Sequence, residues 1–166
     1  MDRLILRLLF VAMTFAAVGF CGDAQGTLRG IEAVSVEVTV TGVEGETSAL
    51  AAELRTAIEL RLRQSRIKVL AGNGVGSGQP ALRFFFLFHR LGDTNRPIDG
   101  YATSAFCQLL QDVMLQRNRY QASAATWHSK ISIGVTNSEA LRESARSTMT
   151  RMVEEFLNDF LSQNPM

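Results

Sequence analysis

Four side chains in the second half of the chain could form a catalytic or metal site: His89, Cys107, Asp112 and His128. A thiol becomes a nucleophile when a histidine within hydrogen-bond reach takes its proton, and histidine, cysteine and carboxylate groups are common zinc ligands. Either use requires the groups to meet in space. Short connections place the segments that carry them side by side, so strand register decides whether they meet.

We expect the register to keep these groups apart. Two successive hairpins place His128 opposite roughly Leu110 and His89 opposite roughly Thr103, so the histidines lie at opposite ends of the sheet, separated by several residues at about 3.3 Å each. Alternation along the strands puts Cys107 and His128 on opposite faces. We therefore predict no catalytic, cofactor or metal site, and we interpret Cys107 as a small buried apolar group.

Sequence motifs of known chemistry do not alter this prediction. His-Glu-x-x-His, Gly-x-Ser-x-Gly and Cys-x-x-Cys are absent from the chain. The glycine-rich segment 72–80, "GNGVGSGQP", has no Gly-Lys-Ser/Thr and precedes a strand instead of a helix. We interpret it as a loop and not as a phosphate site.

The hydrophobic pattern predicts seven elements that would position these residues. Val34, Val36, Val38 and Val40 alternate with polar residues, which is typical of a half-buried strand. The predicted strands cover 31–41, 67–71, 81–91, 100–117 and 122–135, and the predicted helices run from 47 or 48 to about 65 and from 137 or 138 to about 162.

Both predicted helices have one apolar stripe at three- and four-residue steps, as helices packed on a single surface do. The stripes are Leu50, Leu54, Ala57, Ile58 and Leu62 in the first helix, and Leu141, Ala145, Met149, Met152, Val153, Phe156 and Phe160 in the second. We predict an α+β fold, a two-layer sandwich of order β-α-β-β-β-β-α. Its sheet is mostly antiparallel, with two helices packed on one face, in a single domain over residues 25–166.

The amino terminus has the pattern of a secretory signal peptide. Arg3 and Arg7 precede the thirteen-residue apolar run Leu8–Phe20, which is too short to span a bilayer. Small residues in Gly22–Ala24 fit a cleavage site, so we predict a signal peptide over 1–24 and a mature chain from Gln25. The alternatives are an uncleaved anchor and acylation of Cys21, which the preceding Phe20 fits poorly.

Composition excludes one class of partner. The 17 basic and 16 acidic residues give a net charge of +1, and no block of like charge occurs. Phosphate binding needs a concentrated basic surface, so we expect no nucleic acid partner. The arginines of the first helix, Arg55, Arg61, Arg63 and Arg66, are interpreted as a solvated helix face.

Four segments resemble a family of small, uncharacterised exported proteins of the bacterial envelope. They are Glu59–Leu70 ("ELRLRQSRIKVL"), Leu110–Asn118 ("LQDVMLQRN"), Thr126–Trp127 and Met152–Pro165 ("MVEEFLNDFLSQNP"). More loosely, the topology is similar to the lipopolysaccharide-assembly lipoprotein, the curli-secretion lipoprotein and the amino-terminal domain of the Tol translocation protein. The resemblance implies an envelope accessory role and carries over no catalytic residue, although topology alone does not establish function.

The strand "ALRFFFLFHRL" (81–91) is apolar on both of its faces, so something besides the helices must cover one of them. The predicted interaction surface consists of Phe84, Phe86, Phe88, Phe106, Leu110 and Met114. Alternation alone leaves open which face of the strand meets the helices, because a slip of one residue exchanges the two.

Two functions follow from this pattern. The first is a non-catalytic accessory protein that is exported to the periplasm. One version of this hypothesis associates it with the outer membrane. It binds an envelope protein, or a second copy of itself in a homodimer, through the apolar sheet face. The alternative is a carrier of a hydrophobic small molecule or lipid in a pocket between sheet and helices. No cofactor is expected, and contact with a membrane is at most peripheral.

Overall fold

The computed structural model describes residues 25–43, 45, 47–71, 78–93 and 96–165. The predicted signal peptide, residues 1–24, and most of the glycine-rich loop lie outside the described residues. The strands are β1 (Ala33–Thr41), β2 (Lys68–Leu70), β3 (Ala81–Asp93), β4 (Arg96–Met114), β5 (Gln121–His128) and β6 (Ser132–Thr136). The helices are α1 (Thr47–Gln64) and α2 (Leu141–Gln163), and a short 3-10 helix, Gly26–Leu28, precedes β1.

The six strands form one mixed sheet in the order β2-β1-β3-β4-β5, and β6 also pairs with β4. β1 runs parallel to both β2 and β3, whereas the pairs that involve β4 are antiparallel. Val38 lies beside Phe84, which lies beside Cys107, so these residues mark one row across the sheet. The predicted α+β fold with a mostly antiparallel sheet is confirmed.

The third strand of the predicted meander is divided into β5 and β6, which lie end to end along β4. The register against β4 shifts by one residue at Thr126, between the pairs Leu110–Ala125 and Leu109–Trp127, and shifts again before Ser132. Ser129 occupies the second break, where its N–H donates to the Cys107 carbonyl at 2.8 Å and its Oγ accepts from the Cys107 N–H at 2.8 Å. One buried serine thus replaces a pair of sheet hydrogen bonds at the break.

The two helices pack against the face of the sheet that carries Val34, Val36, Phe84 and Cys107. Every member of the predicted α2 stripe is buried, and so are Leu50, Leu54, Ile58 and Leu62 of α1, with Ala57 partly buried beside them. Trp127 packs edge-on against Phe156 with ring centroids 5.2 Å apart. None of the described helices has an apolar stretch long enough to cross a bilayer.

The phenylalanine strand has one orientation in the structure. Phe84, Phe86 and Phe88 face the helices and are buried in the core. Phe85 and Leu87 therefore point to the opposite side, which we call the open face. Alternation along this strand does not determine which of its faces meets the helices. Pairing with β1 determines it, because the valines of β1 lie in the same rows as the buried phenylalanines.

Candidate interaction surface

The groups that could have done chemistry do not meet. His128 lies opposite Gln108 and His89 opposite Ala102, one or two residues from the predicted positions. His128 shares the open face with Gln108, whereas Cys107 faces the helices. Among the described residues, no group of histidine, cysteine and carboxylate side chains is placed to hold a metal ion.

Cys107 is fully buried within the sheet–helix core. Burial raises the pKa of its thiol well above the ordinary value, and the nearby negative charge of Glu155 raises it further. Both effects disfavour the thiolate, which is the nucleophilic form. The expected burial of Cys107 is confirmed, and its environment is the opposite of the one that activates a catalytic cysteine.

The open face has an apolar patch at its centre, which consists of Phe85, Leu87, Phe106, Ile133 and Val135. Phe85 and Phe106 are directly opposed on β3 and β4, and their rings stack with centroids 4.7 Å apart. The next row brings Leu87, Ser104 and Ile133 together. Leu87 is 42% exposed, Ile133 80% and Val135 74%, so the patch widens toward the β6 edge of the sheet.

A polar row ends the apolar patch on one side. Glu37, Arg83, Gln108 and His128 lie in successive strands of this row. Arg83 Nε donates to Glu37 Oε2 at 2.6 Å, which holds the two side chains together across β1 and β3. The polar row therefore separates the apolar patch, which contains Phe85 and Phe106, from the rest of the open face.

The predicted interaction surface is divided among three environments. Phe84, Phe86 and Phe88 lie under the helices, so their inclusion in an accessible surface was wrong. Phe106 lies opposite Phe85 on the open face, within the apolar patch. Leu110 and Met114 are on the open face but beyond the polar row, with Met114 at the end of β4.

Four residues of the apolar patch were not predicted from the sequence: Phe85, Leu87, Ile133 and Val135. The first two follow from the parity of β3 once the core phenylalanines are known. If the third strand were unbroken, Ile131 and Ile133 would point to the same side as Trp127. They would then lie in the core. The one-residue slip before Ser132 moves Ile133 to the other face, and a slip of this kind leaves no clear mark in the hydrophobic pattern.

The edge strand β6 borders the apolar patch. In the part of the chain that the structure describes, β6 pairs with β4 alone, so its outer edge offers backbone groups for a further strand. Its sequence, "SIGVT", contains none of the lysine or proline residues that commonly keep an edge from pairing. An apolar face that no described helix covers and an edge strand without these protective residues thus meet at Ile133 and Val135.

Among the described residues, two spaces lie between the sheet and the helices: a small cleft, and a larger depression of about 480 Å³ between Val40 of β1 and Ala51 of α1, which is open to solvent. A cleft between Phe86 and Phe88 of the sheet and Ala145 of α2 holds about 10 Å³. That volume corresponds to about one water molecule. The cleft is not a site for a lipid or another apolar ligand.

No protein family model matches the chain, and no curated protein matches it. Three solved structures have a loosely similar path. The PelC dodecamer from Paraburkholderia phytofirmans is 11% identical, with 80% of this chain and 88% of that chain covered and a TM-score of 0.42. A crystal structure of an uncharacterized protein is 11% identical, with 78% and 92% covered and a TM-score of 0.42. A minor lipoprotein from Acinetobacter baumannii is 10% identical, with 80% and 91% covered and a TM-score of 0.31.

Proposed function

We propose that this chain is an exported, non-catalytic accessory protein of the cell envelope that binds a protein partner through the apolar patch. The observation that carries the proposal is the stacked Phe85–Phe106 pair on a sheet face that no described helix covers. Ile133 and Val135 extend this apolar surface to the edge of the sheet. Export is inferred from the apolar run Leu8–Phe20 and its cleavage signal.

The physical argument concerns what covers the apolar patch. A contiguous exposed apolar surface rimmed by polar groups is typical of a site of protein association. A partner strand that adds to β6 would form backbone hydrogen bonds at the edge, and its side chains would cover Ile133 and Val135 on the open face. Edge pairing supplies affinity, and the apolar patch beside it supplies selectivity.

A carrier function has less support. Pockets for small molecules usually enclose roughly 300 Å³ or more and bury most of the ligand. The cleft beside Ala145 holds about 10 Å³, and the depression of about 480 Å³ beside Ala51 is open to solvent and does not enclose a ligand. The absence of a catalytic role is proposed on separate grounds. Cys107 is sealed in the core and separated by the sheet from His128, so the chain has no thiol–histidine pair among its described residues.

The test compares two surface variants of the protein purified from its own host. Ile133→Asp with Val135→Asp places two charges in the apolar patch. The control, Leu60→Asp, changes an exposed apolar residue on α1 in the other layer. Native mass spectrometry identifies the bound partner, which is either a second copy of this chain or another protein, and calorimetry then measures its affinity for each variant.

We expect the double variant to remain folded and to lose partner affinity by about 100-fold or more, in line with the loss of a central apolar contact. The Leu60→Asp control should bind like the parent protein. A parent protein that is monomeric and without a partner would overturn the proposal. Equal binding by the parent and the double variant would also overturn it.

A further inference from the structure

The hairpin that joins β4 to β5 reaches past the hydrophobic core. From Leu110 to Thr126 no side chain is fully buried, and every residue from Met114 to Gln121 is exposed. The turn is nevertheless bonded. Leu115 N–H donates to the Tyr120 carbonyl at 2.9 Å, and Arg119 N–H donates to the Leu115 carbonyl at 2.8 Å. The tip is therefore a projection of defined shape.

Apolar side chains stand on both sides of this tip. Met114 is 55% exposed, Leu115 43% and Tyr120 62%. Met114 ends β4 and points to the open face. The Leu115–Tyr120 hydrogen bond continues the ladder by one residue, so Leu115 points to the helix side. The flat surface of a folded protein partner would cover only one side of the tip. A fluid lipid phase surrounds an inserted tip and covers the apolar side chains on both sides.

The charge of the tip has a single sign. Arg117 and Arg119 flank Asn118 at the turn, and no acidic residue occurs between Val113 and Trp127. Neither guanidinium forms an ion pair with a described residue, in contrast to Arg55 and Arg63, which both bind Glu59. Two arginines beside exposed apolar groups complement the phosphates of an anionic lipid surface.

We propose that the β4–β5 hairpin docks the protein on membranes that contain anionic phospholipid. Met114, Leu115 and Tyr120 enter the boundary between headgroups and acyl chains, where a tyrosine ring finds both an apolar and a wet environment. Arg117 and Arg119 bind lipid phosphates above them. This docking site is separate from the apolar patch, which lies beyond the polar row, so a membrane and a protein partner can be bound together.

The experiment reads the position of the tip directly. In the full chain as the cell processes it, Tyr120→Trp places an indole at the tip, and the buried Trp127 of the parent protein supplies the background emission. Vesicles are made of equal parts phosphatidylglycerol and phosphatidylcholine with brominated acyl chains, which quench only nearby indoles. Because the readout is local to position 120, it is valid whether or not the amino terminus is acylated.

We expect these vesicles to quench the indole introduced at position 120, and vesicles of phosphatidylcholine alone to do so far more weakly. Arg117→Gln with Arg119→Gln, introduced beside Tyr120→Trp, should raise the lipid concentration for half-quenching by roughly 30-fold, since each arginine near an anionic surface contributes about a factor of five. Far-UV circular dichroism and the unfolding midpoint should be unchanged, because every substituted residue is exposed.

The matched control is Ile133→Trp, which places an indole on the apolar patch at a position at least as exposed as Tyr120. We expect it to remain unquenched. Equal quenching at both positions would overturn the proposal, as would quenching that ignores the two arginines or no quenching of the tip indole by anionic vesicles. Protection of the tip indole by a protein in the absence of lipid would assign the hairpin to a protein partner instead.

Discussion

Cys107 illustrates how one buried position combines a polar backbone with an apolar side chain. Its N–H and carbonyl both bind Ser129, so the break between β5 and β6 leaves no orphaned backbone group at this residue. Its thiol faces the helices, where burial and then the charge of Glu155 raise the pKa. The environment favours the protonated thiol, which packs as a small apolar group.

We predict that a thiol reagent labels Cys107 in the native protein about 100-fold more slowly than in denaturant, because reaction requires both opening of the structure and ionisation of the thiol. The measurement is absorbance of released thionitrobenzoate at pH 8. Rapid labelling of the native protein at Cys107 would show that the thiol is accessible and would contradict the structural role.

Gly42 is required by space as well as by backbone conformation. Its φ is +85°, and a Cβ at this position would lie 1.6 Å from the carbonyl oxygen of Phe88. We predict that Gly42→Ala lowers the free energy of unfolding by more than about 3 kcal/mol, since the neighbouring backbone must move.

Gly30 supplies the matched control for Gly42, with a φ of +77° and no atom within 4 Å of a Cβ. Gly30→Ala should cost only about 1 kcal/mol, which is the conformational term alone. Urea unfolding of the two variants tests the difference. Equal losses would mean that the close approach of Phe88 to Gly42 relaxes at no cost.

At the scale of elements, the two faces of β3 have different roles, one in the core and one in the apolar patch. The even positions from Leu82 to Phe88 belong to the core, whereas Phe85 and Leu87 belong to the apolar patch. We predict that Phe84→Asp abolishes folding, because truncation of a core phenylalanine already costs about 3–5 kcal/mol and a buried charge adds to that. Phe85→Asp should cost about 1–2 kcal/mol, mainly through loss of the stacking with Phe106.

Circular dichroism and thermal unfolding of these two variants make the comparison. If Phe85→Asp proved as destabilising as Phe84→Asp, both faces of β3 would be ordinary core. The apolar patch would then have no surface left for a partner.

The helices were predictable because their stripes repeat over many residues. One misplaced residue does not change the periodicity of α2, whose seven predicted positions are all buried. The third strand of the meander was predicted less well. Two single-residue slips against β4 each exchange its faces, and they depend on the Thr126 bulge and on Ser129, which are tertiary features. The interaction surface inherited this error at Ile133.

Glu59 ties together the outer face of α1. Its Oε1 accepts from Arg55 Nε at 2.9 Å and its Oε2 from Arg63 Nη2 at 2.8 Å. Burial alone would raise the pKa of Glu59, but hydrogen bonds from the two guanidinium groups outweigh it and hold the pKa below the ordinary value. Two arginines of the predicted solvated face, Arg55 and Arg63, are thus paired with one carboxylate.

A carboxyl group whose pKa is lower in the folded state stabilises the protein above its unfolded pKa. That contribution is lost as the pH falls through the folded pKa. We predict that Glu59→Gln lowers the free energy of unfolding by about 0.5–1 kcal/mol at pH 7, as expected for exposed ion pairs. The difference from the parent protein should vanish in acid, below the folded pKa. A difference that stays constant as the pH falls from neutral to strongly acid would show that the ion pairs contribute nothing.

Across the whole molecule, residues 25–30, which precede β1 and are called the lead, close the end of the core that contains Trp127. Gln25 Nε2 donates to Asp159 Oδ1, and Trp127 Nε1 donates to the other oxygen of the same carboxylate, each at 2.9 Å. Leu28 is fully buried, and Asn164 binds both the Leu28 carbonyl and the Gly30 N–H. The lead is therefore part of the fold and not a linker to it.

Cleavage after Ala24 would retain every one of these contacts, and we predict that the envelope form of the protein begins at Gln25. Amino-terminal sequencing of that form tests the site, and an acylated Cys21 at the terminus would contradict it. A chain that begins at Ile31 should unfold with about 2–5 kcal/mol less free energy than one that begins at Gln25, because it loses buried Leu28. Equal stability of the two chains would show that the lead contributes nothing to the core.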